Sequence, residues 1–230
     1  MSWWVYAGAV MAGLCLTPEG AAAAAPPAPV TKAPIHSADS ERVLKWIMTS
    51  GDNLDLPFLI IDKIHARVFA FNPDGSLAGS AAGLIGLGQG DVSPPGIGQR
   101  KLSDIPPAER ITPAGRFIAA LGNDLGDADI LWVDYDSGLS LHRVIVGNRK
   151  DNRRQRLSTA TAEDNRISYG CINVPVGFFD TVVRPLFRGT NGLVYILPEI
   201  RPLNQVFNIS DNYTPLHGSA PVGSPAGVPK

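Results

Sequence analysis

The sequence predicts a mostly β fold with short helices, of the α+β class. Short apolar runs rich in Val, Ile, Leu and Phe recur between residues 58 and 198, separated by turn residues such as those at 72–75. Helical spacing of apolar residues is limited to one stretch before this region and one inside it, after Cys171. With 230 residues, of which 44% are hydrophobic, the chain is long enough for one substantial core.

The first 25 residues are predicted to be an export signal. An apolar run from Trp3 to Leu16 is followed by the small residues Ala21–Ala25, which suit cleavage by a signal peptidase. An uncleaved anchor is the alternative, but the run is shorter than the roughly 20 residues that a membrane-spanning helix needs. We therefore expect cleavage, the loss of Cys15 and no membrane attachment afterwards. Residues 26–37 are proline-rich without periodicity, and we interpret them as a linker.

Residues 38–57 are predicted to form an N-terminal helix and a connector. Apolar residues recur at helical spacing between Asp39 and Thr49, with Ser37 or Asp39 available as the N-cap. This pattern indicates a short amphipathic helix whose role is packing.

Residues 58–198 carry the strand pattern and are predicted to form the main folded domain. Phe58–Asp62 and Arg67–Phe71 are predicted strands joined by a short turn. The turn at Asn72–Gly75 leads to a third predicted strand from Leu77 to Ile85. Strands joined by tight turns in this way form an antiparallel meander.

Two loops follow the meander. Gly86–Asp91 is rich in glycine, but no helical pattern follows it and its spacing does not match a phosphate-binding loop. Residues 92–111 lack periodicity altogether, which is typical either of a functional lid or of a disordered segment.

The remaining elements alternate strands with one helix. A helix is predicted to open at Pro175 and to break or end early at Pro185, because proline fits the first helical position and disrupts the interior. Residues 199–230 are predicted to be an extended or disordered tail. The further predicted strands are Phe117–Leu121, Leu131–Tyr135, Leu139–Val144 and Leu193–Leu197.

The charge balance excludes partners that depend on bulk charge. Lys and Arg total 20, Asp and Glu total 21, and the formal net charge is −1. Such a chain has no field that would gather nucleic acid or anionic lipid. Residues 148–166 form the one locally basic segment, interpreted either as a solvated loop or as a contact surface for a carboxylate or an anionic polymer.

Cys171 is the candidate nucleophile. Once the signal is removed it is the single cysteine, so a disulfide framework is excluded for a monomer. A buried inert cysteine is the alternative, but a free thiol is a liability in an oxidising compartment. The sequence Ser168-Tyr169-Gly170-Cys171, with Pro175 soon after, predicts a tight turn before a helix, where backbone N–H groups could hold an oxyanion.

A cysteine nucleophile requires a base, and His142 is the histidine inside a predicted strand. The other three are predicted to be exposed in the linker, a hairpin tip and the tail: His36, His65 and His217. A structural histidine is the alternative interpretation. We expect His142 to take the thiol proton, the thiolate to attack a carbonyl and N–H groups near Gly170 and Cys171 to hold the oxyanion, giving a thioester.

These residues resemble the L,D-transpeptidase catalytic domain family (YkuD-like). Ser168–Asn173 is similar to the family's active-site signature, and His142 resembles its upstream histidine in a Leu-His strand. Thr112–Phe117 is similar to the family's Thr-Pro-x-Gly-x-Phe turn, and Phe58–Phe71 looks like its opening hairpin. The likeness spans about residues 58 to 198.

The resemblance implies a β-sandwich of mixed sheets with the cysteine motif preceding a helix, and cell-wall chemistry in the periplasm. Members form an acyl-enzyme on cysteine from a peptidoglycan stem peptide and transfer it to an amine. Stem peptides would then be donor and acceptor for Cys171, and no metal or organic cofactor is expected. Gly170 would serve the turn and Ser168 would form hydrogen bonds in the site.

The signature also departs from the family pattern. Tyr169 stands where many members have histidine, and Asn173 stands where arginine is usual. We expect Tyr169 and Asn173 to contact substrate, and Arg143 or Arg166 to bind a substrate carboxylate, because guanidinium suits carboxylates. Ordinary surface charge is the alternative interpretation of the two arginines. With the long loop at 86–111, these changes suggest an altered donor or acceptor preference.

Two other functions are compatible with the motif. A stem-peptide hydrolase would use the same nucleophile and deliver water instead of an amine. A catalytically silent wall-binding module would not need Cys171 and His142. A papain-like protease is disfavoured because His142 precedes the thiol in the chain.

Overall fold

A computed structural model describes residues 37–124, 126 and 128–209, which form ten strands and several short helices. The predicted mostly β, α+β class is confirmed. The predicted signal at 1–25, all but the last residue of the predicted linker at 26–37 and residues 210–230 of the predicted tail lie outside the described residues. Within the described part, no helix is long and apolar enough to cross a bilayer.

Eight strands form one mixed sheet in the order β3-β2-β1-β10-β5-β6-β7-β9, and β4 pairs with β8 in a small second sheet. The pairs β1–β10 and β7–β9 are parallel, whereas the other neighbours in the large sheet are antiparallel. The strands are β1 Phe58–Asp62, β2 Arg67–Phe71, β3 Leu77–Ala82, β4 Ile85–Gly86, β5 Gly115–Asn123, β6 Asp129–Asp134, β7 Leu139–Arg143, β8 Arg166–Ser168, β9 Ile172–Val174 and β10 Gly192–Ile196.

The two ends of the large sheet meet, so the sheet is nearly closed like a barrel. The N–H of Leu84, just after β3, donates to the carbonyl of Asn173 in β9 at 2.8 Å, and the reverse bond measures 2.9 Å. The predicted sandwich of mixed sheets is corrected to this single curled sheet. The physical reason is β10, which pairs with β1 on one side and with β5 on the other and so joins the two antiparallel halves.

Strand β1 of the large sheet is buried on both faces, which explains why it is a continuous apolar run. Leu59 and Ile61 belong to a core that includes the helix after Cys171, and Phe58 and Ile60 belong to a second core. Residues of the N-terminal helix and of the segment around Phe207 complete that second core.

The N-terminal helix α1 spans Ala38–Ser50, one residue longer at each end than predicted. Ser37 is its N-cap, as the sequence suggested, and forms a capping box with Ser40. Gly51 ends the helix in the left-handed conformation at φ 68°.

The chain after Cys171 differs in part from the prediction. Pro175 is the N-cap of the helix rather than its first residue, and the helix does not break at Pro185. The last helical turn, which contains Pro185, follows a wider π-helical stretch. This local irregularity changes the pattern of backbone hydrogen bonds before the proline. The remaining helices are α2 Arg153–Arg156, α3 Val176–Phe178, the π-helical stretch Phe179–Val183 and α4 Arg184–Leu186.

Candidate active site

Cys171 lies on a short bend between β8 and β9, neither of which the sequence pattern predicted. It is half-buried and unpaired. Gly170 before it has φ 133°, a conformation that L side chains rarely adopt, and an added Cβ would approach the carbonyl oxygen of Ile111 to 2.8 Å. The bend therefore requires glycine immediately before the cysteine.

Two side chains of β7 contact the thiol. Ser140 and His142 are two residues apart in this strand and so lie on the same face of the sheet. The hydroxyl of Ser140 donates to Sγ of Cys171 at 3.5 Å. Nδ1 of His142 donates to the carbonyl oxygen of Arg143 at 2.7 Å, which leaves Nε2 of the imidazole for Cys171.

The electrostatics shift Cys171 toward the thiolate and His142 toward the imidazolium. Burial alone would raise the pKa of Cys171, but hydrogen bonds from His142 and Ser140 hold the pKa of this thiol below its ordinary value. Burial likewise favours neutral His142, yet its hydrogen bond and charge interaction with Cys171 raise the pKa of the imidazole. Both shifts stabilise the same charged pair, which is the reactive form of a cysteine nucleophile.

Two pockets open on either side of this pair. The first, of about 120 Å³, is lined by Cys171, Tyr169 and the turn at 137–139, with part of the loop 92–111 as its outer wall. The second, of about 430 Å³, is lined by His142 and Ser140 together with Trp132 and neighbouring residues. The thiol thus faces one cavity and the imidazole faces another.

The loop 92–111, interpreted from sequence as a lid or a disordered segment, is ordered by three 3₁₀ turns. Gly98 in this loop lies against the β6–β7 turn so closely that an added Cβ would approach the carbonyl oxygen of Asp136 to 2.3 Å. Gly98 and the β6–β7 turn therefore form one wall of the first pocket, beside Cys171.

Tyr169, Ser168 and Gly170 are all brought to the bend. Tyr169 lines the first pocket, and the guanidinium of Arg110 lies 4.1 Å from the centre of its ring. Ser168 is buried, and its Oγ accepts a hydrogen bond from the N–H of Gly170 at 3.1 Å. Their predicted roles toward substrate stay predictions.

Arg143 and Arg166, predicted to bind a substrate carboxylate, are both paired with carboxylates of the protein. Arg143 binds Asp129 and Asp180 and lies 4.3 Å above the ring of Phe179. Arg166 binds Glu199, and both side chains of that pair are largely buried. Carboxylates of the protein itself therefore bind both guanidinium groups.

Asn173 instead points to another arginine that the sequence did not single out. Asn173 is fully buried, and its Oδ1 accepts from Nη1 of Arg153 at 3.2 Å. Nε of Arg153 binds Asp151 at 3.2 Å, and its Nη2 has no hydrogen-bond partner within the described part of the chain. Arg153 also lies near enough to His142 for its charge to oppose protonation of the imidazole.

Sequence reasoning therefore missed Ser140 and Arg153. The period-two alternation of β7 could have revealed Ser140, since it shares the face of His142. No local signal marks Arg153, because it is one of several arginines in a basic segment and meets Asn173 from 20 positions away.

The described residues hold no cluster of three or more His, Cys, Asp or Glu side chains that could bind a metal ion. Asp129 and Asp180 both bond to Arg143, and the sulfur of Cys171 bonds to the hydroxyl of Ser140 and the carbonyl of Gly138.

No protein-family model and no curated protein matches this chain. Similar solved structures include the helical cell shape determining protein Pgp2 from Campylobacter jejuni, with 14% identity and a TM-score of 0.41 over 64% of this chain and 49% of that one. An L,D-transpeptidase from Xylanimonas cellulosilytica has 15% identity and a TM-score of 0.37 over 62% of this chain and 60% of that one. The catalytic domain of an E. faecium L,D-transpeptidase has 16% identity and a TM-score of 0.34 over 62% and 98%.

The structural neighbours are thus L,D-transpeptidase catalytic domains and Pgp2, at low sequence identity, and the resemblance noted in the sequence is confirmed at this level. The chain spans 49% of the length of the first of these structures and 60% of the second. Because all three TM-scores are below 0.5, the chemistry has to be inferred from the side chains of this chain.

Proposed function

We propose that this protein is a cysteine-dependent acyltransferase of the L,D-transpeptidase type. It would form an acyl-enzyme on Cys171 from a peptidoglycan stem peptide and transfer the acyl group to an amine, in the periplasm. The observation that carries the proposal is the thiol of Cys171 held between His142 and Ser140 at the mouth of a pocket. An inert structural cysteine would need neither a base nor a donor at its sulfur.

The proposed reaction has two halves. The thiolate of Cys171 attacks a peptide carbonyl, and the imidazolium of His142 gives its proton to the departing amine, leaving a thioester. In the second half, neutral His142 takes a proton from the acceptor amine as its nitrogen attacks the thioester. Collapse of that adduct forms the new amide and returns the thiolate, with the proton again on His142.

The two pockets support transfer to a bulky acceptor. An acyl donor bound in the pocket of Cys171 leaves the pocket on the His142 side open, where an amine would lie against the group that must deprotonate it. Its volume of about 430 Å³ is ample for a side-chain amine carried on a peptide.

Arg153 supports recognition of a substrate that carries carboxylates, as stem peptides do. Asn173 and Asp151 hold two of its nitrogens, and no described residue bonds to Nη2. The guanidinium is close enough to His142 for its charge to act on the imidazole. A fixed guanidinium with a free N–H is suited to a carboxylate. We propose Arg153, rather than Arg143 or Arg166, for this contact.

The test uses the full chain and Cys171→Ala, each incubated with defined muropeptides and read by intact-mass spectrometry. A Cys171-dependent dimer that has lost a terminal residue is the result expected of a transpeptidase. Shortened monomers alone would identify a hydrolase working through the same pair. If no stem gives a Cys171-dependent product, the cell-wall function is wrong.

A further inference from the structure

The carbonyl of Gly170 is held from inside the protein by Thr112. Thr112 is only 2% exposed, and its Oγ1 lies 2.7 Å from the carbonyl oxygen of Gly170 and 2.9 Å from the N–H of Gly86. The N–H of Gly86 can only donate, so the single hydroxyl proton of Thr112 is free to donate to Gly170. The direction of both hydrogen bonds is therefore determined.

Thr112 is itself anchored by a buried ammonium group. Nζ of Lys63 donates to the carbonyl of Thr112 at 2.9 Å, to that of Gly90 at 2.6 Å and to Asp91 at 2.8 Å. The side chain of Lys63 is fully buried. With its carbonyl and its hydroxyl both bound, Thr112 cannot shift toward or away from Gly170 without breaking buried hydrogen bonds.

This anchor decides where the N–H of Cys171 points. The described chain contains no cis peptide bond, and across a trans peptide the C=O and the N–H point in opposite directions. Because Thr112 binds the carbonyl of Gly170, the N–H of Cys171 points away from Thr112. That N–H donates no hydrogen bond within the described residues, whereas the N–H of Gly170 is bound to Ser168.

We propose that Thr112 is a positioning residue, which directs the N–H of Cys171 at the oxygen of the tetrahedral adduct. The inference rests on the acyl transfer proposed above. When the C–S bond forms, the carbonyl π electrons move to that oxygen, and they return when the bond to the leaving group breaks. A donor already oriented toward this oxygen stabilises the adduct without reorganisation at the moment of reaction.

The test compares two reagents that react with the same thiol, one of which needs an oxyanion donor and one of which does not. Iodoacetamide is attacked at a saturated carbon with loss of iodide, so its reaction needs the thiolate but no oxyanion donor. p-Nitrophenyl acetate is attacked at a carbonyl, so its nitrophenolate burst needs both. Each is measured on the full chain carrying Cys15→Ser, so that Cys171 is the one thiol present, with Cys171→Ala as the background.

Thr112→Val keeps the shape and removes the hydroxyl, whereas Thr112→Ser keeps the hydroxyl. We expect Thr112→Val to slow the burst by about tenfold or more, to leave alkylation within about twofold, and Thr112→Ser to restore the burst. A folded Thr112→Val with an unchanged burst, or with both reactions slowed equally, would overturn the inference. If the protein with intact Thr112 alkylates but gives no burst, the acyl transfer itself is wrong.

A measurement without the Thr112 substitutions covers the case in which Thr112→Val does not fold. Chain labelled with ¹⁵N-cysteine is treated with acetaldehyde, whose adduct on Cys171 places an oxygen where the oxyanion would form. We expect the amide proton of Cys171 to move downfield as it gains a hydrogen bond. An adduct seen by mass spectrometry with an unmoved amide resonance would also overturn the inference.

Discussion

His142 of β7 lies opposite Asn173 of β9 in the parallel pairing of these strands. The same register brings Ser140 to Cys171. Ser140 lies two residues before His142 in β7, and Cys171 lies two residues before Asn173, just ahead of β9. A slip of one residue would turn His142 and Ser140 to the other face of the sheet and away from the thiol. The register of one short strand pair thus assembles the candidate site.

Replacing His142 should raise the pKa of Cys171. The pKa of this thiol is held below its ordinary value by His142 and Ser140, so the thiolate persists to lower pH than in a free cysteine. In His142→Ala the midpoint of the alkylation rate against pH should move upward. Because the thiolate is the reacting form, each rise of one pH unit in that midpoint should lower the rate about tenfold at a pH below both midpoints. Iodoacetamide kinetics across pH measure this.

The matched control is His65→Ala. The side chain of His65 is 58% exposed and binds Asp62 at the β1–β2 turn. Its removal should leave the alkylation profile unchanged. A His142→Ala profile that overlays the unsubstituted one would refute the proposed pairing of imidazole and thiol.

Ser140→Ala should weaken the nucleophile less than the loss of His142. Its hydroxyl donates to Sγ, and a hydrogen bond to a charged group contributes about 1.5–3 kcal/mol when the geometry is good. At 3.5 Å we expect the lower part of that range or less, which is about a tenfold loss of acylation rate. Ser158→Ala, an exposed serine of the basic segment, is the control.

Arg153→Gln should impair binding of a substrate carboxylate. We expect KM for a stem-peptide donor to rise by about tenfold or more while kcat changes little, because a charge-assisted contact is lost in ground and transition states alike. Arg154→Gln, at the exposed neighbouring position, is the control. An equal rise in KM for a folded Arg143→Gln, with none for Arg153→Gln, would return the contact to Arg143.

Asp91 should control stability in acid. Burial would raise its pKa, but hydrogen bonds from Lys63 and from three backbone N–H groups bring the pKa of Asp91 down to about 2. Because the folded pKa is lowered, the stabilisation is present above the unfolded value of about 3.9 and is lost as pH falls from there toward about 2. Chemical denaturation at a series of pH values measures this loss.

The substitution Asp91→Asn should destabilise the fold at neutral pH as well. It leaves the fully buried ammonium of Lys63 without its nearest carboxylate, and breaking such a pair costs about 3–5 kcal/mol. Asp104→Asn, in an exposed 3₁₀ turn, should have little effect. Equal stability of the two variants would contradict a structural role for the ion pair of Lys63 and Asp91.

Local patterns predicted most of the regular elements. Strands β1 and β2 have the predicted bounds, and α1 differs by one residue at each end, because apolar periodicity and capping act within a few residues of chain. The pattern missed β8 and β9, since three-residue strands flanking a glycine bend carry almost no periodic signal. The helix does not break at Pro185, where the preceding π-helical stretch accommodates the proline, but it ends one residue later at Leu186.

The sequence by itself determined the mostly β class and selected Cys171 and His142 as the candidate nucleophile and base, since one cysteine lies after the predicted leader and one histidine lies in a predicted strand. Only the tertiary structure decided that the sheet closes through Leu84 and Asn173, and that Arg153 contacts Asn173 whereas Arg143 and Arg166 pair with carboxylates. Such contacts join residues far apart in the chain. They depend on strand order and register, which long-range packing determines and local composition does not.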